Sequence, residues 1–200
     1  KAVIVSEVAD LLAEPVKGLV LPVAPVNFRD GISCPRMHQA LANEVIEILE
    51  TSGSNSKVKI SNCFFQTASS NTKHSNYWIE NKHFILLEQL EHKGLDLTLL
   101  PMPIDFKVKA TPKTQSTIVL AKPFHNKRTG QKFSAGTRFV TNNGNAQVFD
   151  PAKFKFVEAV IPKDFYLEEK PREKKEMLKI FCNLLEQWAT QETYPTSGAA

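Results

Sequence analysis

Three cysteines and five histidines are the side chains of this 200-residue sequence best suited to nucleophilic or metal chemistry. Cys34 lies in Asp-Gly-Ile-Ser-Cys-Pro, just before a segment that could be helical, and a helix N-terminus activates a thiol. His74, His83 or His92 could then serve as its base. The alternative is that Cys34, like most unpaired cysteines, is buried and inert. The spacings fit no cysteine-hydrolase motif, which favours the inert thiol.

The remaining spacings predict no metal site and no cofactor. The histidines never occur as HxxxH, and neither CxxC nor HExxH is present. The phosphate-binding patterns GxxxxGK[ST] and GxGxxG are also missing from the sequence. Cys34, Cys63 and Cys182 are odd in number and widely spaced, so we expect reduced thiols rather than a disulfide framework.

Tyr77 and Trp78 are the candidate ligand-contacting residues. Adjacent strand residues point to opposite faces, so one ring is expected in a core and the other at a surface or groove. Aromatic surfaces of small β domains bind extended peptides, although both rings could serve packing alone. Phe181 and Trp188, on one apolar stripe near the C-terminus, could instead dock a partner.

Composition narrows the class of protein. A hydrophobic share of 42% excludes wholesale disorder. The formal charge of +4 comes without a basic arm, so no nucleic-acid partner is expected. No apolar run reaches the roughly 18 residues that indicate a membrane-spanning helix. Twelve prolines against eight glycines predict short elements joined by stiff turns.

The hydrophobic patterns predict many short strands and one helix. Residues 1–15 are expected to form a strand through Val8 that turns at Ala9–Pro15, and the proline-rich residues 16–35 are expected to be irregular. Arg36–Glu50 fits a helical stripe or a strand. Because a turn follows at Thr51–Ser56, we favour a strand at Val45–Leu49 and a hairpin over residues 45–63.

The second half carries closely spaced strand patterns between residues 106 and 162. They are FKVKA, STIVL, the segments on either side of Asn142-Asn143-Gly144, and KFKFVEAVIP. Such spacing is typical of a small barrel or sandwich. After Pro171, apolar residues at three- and four-residue steps predict an amphipathic helix to residue 189.

Several of these segments carry a resemblance. AVIVSEVADLLAEP, HQALANEVIEILE, SKVKI and YWIENKHFILL resemble the strands of a bacterial SH3-like domain with a long insertion. A second copy resembles the same domain from STIVLAKPFHNKRTG through KFSAGTRFV, which is similar to the pattern L-x-x-G-T-R-x-x-V. LANEVIEIL (41–49) and FSAGTRFVT (133–141) occupy equivalent places in the two copies. The resemblance implies a mainly β chain, with SH3-like barrels at 1–100 and 101–166 and a linker helix with a tail at 167–200.

Tandem SH3-like domains before a helix resemble the N-terminal region of NlpC-type cell-wall cysteine peptidases. That resemblance implies a non-catalytic region that binds and positions a peptidoglycan stem peptide, or packs against a catalytic domain, in the bacterial envelope or periplasm. Such enzymes cut stem peptides between D-glutamate and a diamino acid. Their nucleophile motif, Asp-Cys-Ser-Gly, does not occur in the sequence, so no catalytic residue is carried over and the catalytic domain is expected outside these residues. The alternatives are a free-standing cysteine hydrolase using Cys34 and an adaptor docking through its last helix.

Overall fold

The structure is a computed structural model that describes residues 1–15, 36–60, 65–66, 73–101, 103, 116–168, 170 and 172–190. Cys34, Cys63, the proline-rich segment 16–35 and the strand predicted at 106–110 lie outside these residues. The described residues up to 168 belong to one compact unit, and those from 170 to 190 belong to another.

The first β unit, residues 1–100, is built on a seven-stranded antiparallel sheet. Its strands follow the order β3-β2-β8-β5-β4-β1-β9, and β6 and β7 form a separate ribbon. The elements are β1 (Ala2–Ile4), β2 (Val8–Leu12), β3 (Arg36–Leu41), β4 (Val45–Ser52), β5 (Asn55–Lys59), β6 (Phe65–Gln66), β7 (Lys73–His74), β8 (Asn76–Glu80), β9 (Phe84–Leu86) and the short helix α1 (Leu87–His92).

Two local questions are settled by how these strands pair. The ambiguous segment 36–50 forms β3 and β4, separated by a turn in which Asn43 takes a φ of 68°. The strand expected at Val45–Leu49 and its hairpin with β5 are therefore confirmed. The turn expected at Ala9–Pro15 is wrong for its first part, because residues 8–12 are held in β2 by their pairing with β3.

The second β unit, residues 116–168, is built on a five-stranded antiparallel sheet in the order β15-β14-β13-β10-β16. Its hairpin at Asn142-Asn143-Gly144 is confirmed. Asn143 and Gly144 take φ values of 50° and 81°, as a two-residue hairpin turn requires. The elements are β10 (Ser116–Leu120), β11 (Phe124–His125), β12 (Lys132–Phe133), β13 (Arg138–Asn142), β14 (Asn145–Asp150), β15 (Lys155–Ala159) and β16 (Tyr166–Glu168).

The two β units repeat one topology. The order β9-β1-β4-β5-β8 in the first corresponds to β16-β10-β13-β14-β15 in the second. The hairpin β2–β3 corresponds to β11–β12, and a 3-10 turn precedes the last strand of each unit, at Asn81–His83 and Lys163–Phe165. The similar segments 41–49 and 133–141 lead into the corresponding strands β4 and β13.

The two β units pack against each other through a shared apolar cluster and polar contacts. Val3, Leu90 and Leu100 of the first unit pack with Phe149 of the second. The Asn43 side chain donates a hydrogen bond from Nδ2 to the backbone oxygen of Arg138, at 3.0 Å. The burial of apolar surface here joins the repeats into one compact body.

The predicted mainly β chain with a C-terminal helix is confirmed, and that helix is α2 (Lys174–Thr190). Among the residues that the structure describes, each large sheet is open, with edge strands β3 and β9 in the first and β15 and β16 in the second, so their hydrogen bonds do not close the predicted barrels. The SH3-like detail and the boundaries at 100 and 166 stay predictions. No helix in the described part of the chain is long and apolar enough to span a membrane.

Candidate ligand-binding face around Trp78

Tyr77 and Trp78 lie in β8 with their rings on opposite faces of the sheet. Tyr77 is 1% exposed and packs with Val58 and Ile79 in the core of the first β unit. Trp78 is half-buried on the outer face. Only Trp78 of this pair therefore offers a surface on which a ligand could pack.

Trp78 lies in a row of side chains that crosses three strands. Its register partners are Leu12 of β2 and Lys57 of β5. Lys57 Nζ lies 5.9 Å from the centre of the Trp78 ring, within cation–π range, and 3.8 Å from Glu50 Oε2. We call five residues on this side of β2, β5 and β8 the Trp78 face: Asp10, Lys57, Trp78 and Glu80, together with Leu12, which is buried at 6% exposure.

Negatively charged, positively charged and amide side chains border the Trp78 face. Asp10 accepts a hydrogen bond at 2.8 Å from the side-chain amide of Gln39, in the neighbouring strand β3. Glu80 pairs with Lys82 at 2.6 Å. An indole ring bordered by carboxylates and ammonium groups, two of which form the Glu80–Lys82 pair, suits a ligand that carries both kinds of charge on an extended backbone.

Ser6 and His83 form a further polar pair beside the face. Ser6 Oγ lies 2.8 Å from His83 Nδ1, although 77 residues separate them in the sequence. Burial is the main reason that the pKa of His83 is lowered, and the charge of Lys82 lowers it further, against the opposing charges of Glu80 and Asp10. A neutral imidazole is therefore favoured, and it can both donate and accept hydrogen bonds.

The repeat shows that this polar pair is not required by the topology. Val5 donates a backbone hydrogen bond to the carbonyl of His83 at 2.9 Å, and Ala121 donates the corresponding one to Phe165 at 2.8 Å. His83 thus occupies the position that Phe165 fills in the second unit, where Phe165 packs against an apolar core. Lys122 occupies the position of Ser6, with its Nζ 5.2 Å from the centre of the Phe165 ring. At this position the first unit therefore has an imidazole that hydrogen-bonds to Ser6, whereas the second unit has the apolar ring of Phe165.

The structure does not assemble the alternative cysteine site. Residues 36–41 form a strand, so the helix that would have activated Cys34 is not present, and Cys34 itself lies outside the described residues. His92 lies at the end of α1, with Nε2 3.7 Å from Glu88 Oε1, and His74 lies in the ribbon strand β7. No group of three metal-ligating side chains occurs among the residues described.

Sequence reasoning identified Trp78, named His83 only as a possible base for Cys34, and missed Ser6 and Asp10. Ser6 lies in a bend between two strands, and no local pattern signals that its hydroxyl meets His83. Internal comparison of the two copies would have supplied a signal, because aligned repeats show which positions differ in polarity. The prediction for the helix stripe is tested only in part: Phe181 is 53% exposed, and the Trp188 side chain lies outside the described residues.

No protein-family model matches the chain, and the search of curated proteins gave no match.

Proposed function

We propose that this chain is the non-catalytic, peptide-binding and positioning region of a bacterial cell-wall cysteine peptidase of the NlpC type. In this proposal the Trp78 face holds a peptidoglycan stem peptide in the cell envelope or periplasm. The bond-breaking chemistry comes from a catalytic domain outside these residues.

The observation that carries the peptide-binding part is the half-buried Trp78 ring, with Lys57 across the strands and the Asp10 and Glu80 carboxylates nearby. A stem peptide that contains D-glutamate and a diamino acid carries both carboxylates and an amine. The indole can pack on its aliphatic stretches while charges of the opposite sign meet its ends.

The repeated topology supports the tandem-module part of the proposal. Two copies of one strand order, each with a hairpin between its first strand and its meander, favour a tandem arrangement of two related domains. The copies differ in polarity at the position of His83 and Phe165, which favours different roles for them.

The test is a binding titration of the whole chain with a stem peptide containing D-glutamate and a diamino acid. The protein has two tryptophans, so W188F leaves Trp78 as the only indole reporter and serves as the matched control. We expect saturable fluorescence changes in W188F, and an affinity about five- to thirtyfold weaker in W78A by calorimetry, because a lost aromatic contact costs about 1–2 kcal/mol. Equal affinities of W78A and W188F would reject the Trp78 face as the site.

A second candidate function, docking of a protein partner through α2, is favoured by exposed apolar side chains on that helix. Met177, Leu178 and Phe181 are each more than half exposed. Rapid hydrogen exchange along α2 in the isolated chain, slowed by a partner, is expected for a docking helix. Slow exchange in the isolated chain would remove the main support for this candidate.

A further inference from the structure

The hairpin made by β11 and β12 lies in a long stretch of sequence without acidic residues. No Asp or Glu occurs between residues 106 and 149, whereas eight Lys and Arg residues do. Three exposed Lys and Arg side chains of this stretch lie on one hairpin. We call residues 122–132 the basic hairpin and these three side chains the hairpin cations: Lys127, Arg128 and Lys132.

The backbone holds these cations in a defined arrangement. His125 and Lys132 are register partners across the two strands, and Lys127 and Arg128 lie in the turn between them. Asn126 closes the turn: its Oδ1 accepts from the backbone nitrogen of Arg128 at 3.0 Å, and its carbonyl accepts from Gly130 at 2.8 Å. The cations therefore surround the end of the hairpin.

The hairpin is fixed to the sheet without using those charges. Gln131 donates a hydrogen bond from Nε2 to the carbonyl of Phe149 at 2.9 Å. Lys122, at the base of the hairpin, pairs with Asp164 at 3.0 Å. In the described part of the chain, no carboxylate pairs with any of the three hairpin cations.

The shape and composition of the hairpin limit the kind of partner. The end of a hairpin is convex, so it cannot enclose a small anion, but a flat anionic surface can meet several of its cations together. Its two aromatic residues face inward: Phe133 is buried in the core of the second unit, and Phe124 packs against that core. Neither ring is placed to stack on a nucleic-acid base. We propose that the basic hairpin docks the chain on an anionic lipid surface.

This proposal is independent of the peptide-binding role, because the basic hairpin and the Trp78 face belong to different β units. It accounts for the position of the cations and for the absence of carboxylate partners to them among the residues that the structure describes. Each basic side chain near an anionic membrane surface contributes about fivefold to partitioning, and that contribution is screened by salt.

The experiment is co-sedimentation of the whole chain with vesicles of phosphatidylcholine alone or mixed with phosphatidylglycerol. We expect binding only to the anionic vesicles, weakening as NaCl is raised. The double variant K127Q/R128Q should bind about 25-fold more weakly, the product of two fivefold losses. The matched control is K153Q/K155Q, which removes the same charge from the same β unit at two exposed lysines near Asp150 and should change binding far less.

Three results would overturn the proposal. Wild-type affinity in K127Q/R128Q would show that the hairpin does not contact the membrane. An equal loss of affinity in K153Q/K155Q would show that binding depends on the net charge of the chain and not on the basic hairpin. Binding to duplex DNA or linear polyphosphate, with no binding to anionic vesicles, would assign the cations to a soluble polyanion. Circular dichroism is expected to show both variants folded, because Lys127 and Arg128 make no side-chain hydrogen bond or ion pair to described residues.

Discussion

Lys57 and Trp78 face each other across β5 and β8, with the ammonium nitrogen 5.9 Å from the centre of the indole ring. The contact lies on the outer face of the sheet, while the next pair in register, Val58 and Tyr77, lies in the core. One step along the strands therefore separates the packing role of β8 from its candidate binding role.

The Lys57–Trp78 contact should be measurable as a small coupling energy. In a denaturant double-mutant cycle with K57Q and W78L, we expect about 0.5 kcal/mol, because a partly exposed cation–π pair is worth that much. K59Q is the control, since Lys59 is exposed and its register partner in β8 is Asn76. A coupling as large with K59Q as with K57Q would contradict the assignment.

Gly136 should report the packing between the two β units. Its φ is 90°, and a Cβ there would lie 2.9 Å from Leu41 Cδ1 of the first unit, whereas Gly144, with a φ of 81°, has open space around it. Both G136A and G144A should lose about 1–2 kcal/mol of unfolding free energy to backbone strain. G136A should lose somewhat more unfolding free energy than G144A, because its Cβ also meets Leu41. Adding L41A should restore this additional loss in G136A and should have no such effect in G144A. Equal effects of L41A in both backgrounds would refute the contact.

Glu44 should make the protein less stable as the pH rises. Burial raises its pKa to about 7 from an ordinary value of 4.5, although a backbone hydrogen bond from Leu41 and the charge of Arg138 lower it. Because the folded carboxyl holds its proton longer than the unfolded one, its contribution is complete below about pH 4.5 and is lost as the pH rises to about 7. E44Q should remove this loss and be more stable above pH 7, by no more than about 3 kcal/mol. Thermal unfolding across this range measures it, and parallel curves for wild type and E44Q would exclude the effect.

His83 should make the protein less stable as the pH falls. Its folded pKa is lowered from 6.5, so as the pH falls below 6.5 the unfolded imidazole is protonated first and stability decreases until the folded pKa is passed. H83F, which copies Phe165 of the second unit, should fold and lose this part of the acid sensitivity. H92A is the control, because His92 is exposed. An unchanged pH profile in H83F would show that His83 does not supply this sensitivity.

H83F should also carry a measurable hydrogen-bond cost. It leaves the Ser6 hydroxyl without its imidazole partner, at a cost of about 1 kcal/mol, which S6A in the H83F background should largely recover. No recovery in the double variant would mean that the Ser6–His83 hydrogen bond contributes nothing to stability.

Cys182 should be readily modified by iodoacetamide at neutral pH, because it is exposed on α2. A labelling test of Cys34 as a nucleophile therefore needs the C182S background. We expect slow modification of Cys34 and Cys63 there, as for inert thiols. Fast, selective modification of Cys34, read by peptide mass spectrometry, would favour the cysteine hydrolase instead.

The sequence by itself determined the elements whose signals are local. The Asn143-Gly144 turn, the β4–β5 hairpin and helix α2 follow from residues that are neighbours in the chain, since turn chemistry and hydrophobic period act over a few positions. The mainly β class followed from the same patterns. The alternation at Tyr77 and Trp78 likewise fixed that their rings lie on opposite faces.

Only the tertiary structure decided which of those faces is the core, because that depends on strands brought from other parts of the chain. The same holds for segment 36–50, whose apolar residues fit a helix or strands until β2, β1 and β5 pair with it. The Ser6–His83 pair and the placing of His83 opposite an aromatic position in the second copy are also products of pairing between distant strands. A local pattern predicts only that successive side chains alternate between the two faces of a strand. Which face becomes the core, and which polar groups meet at one site, depends on strands that are distant in the sequence and pair only in the folded chain.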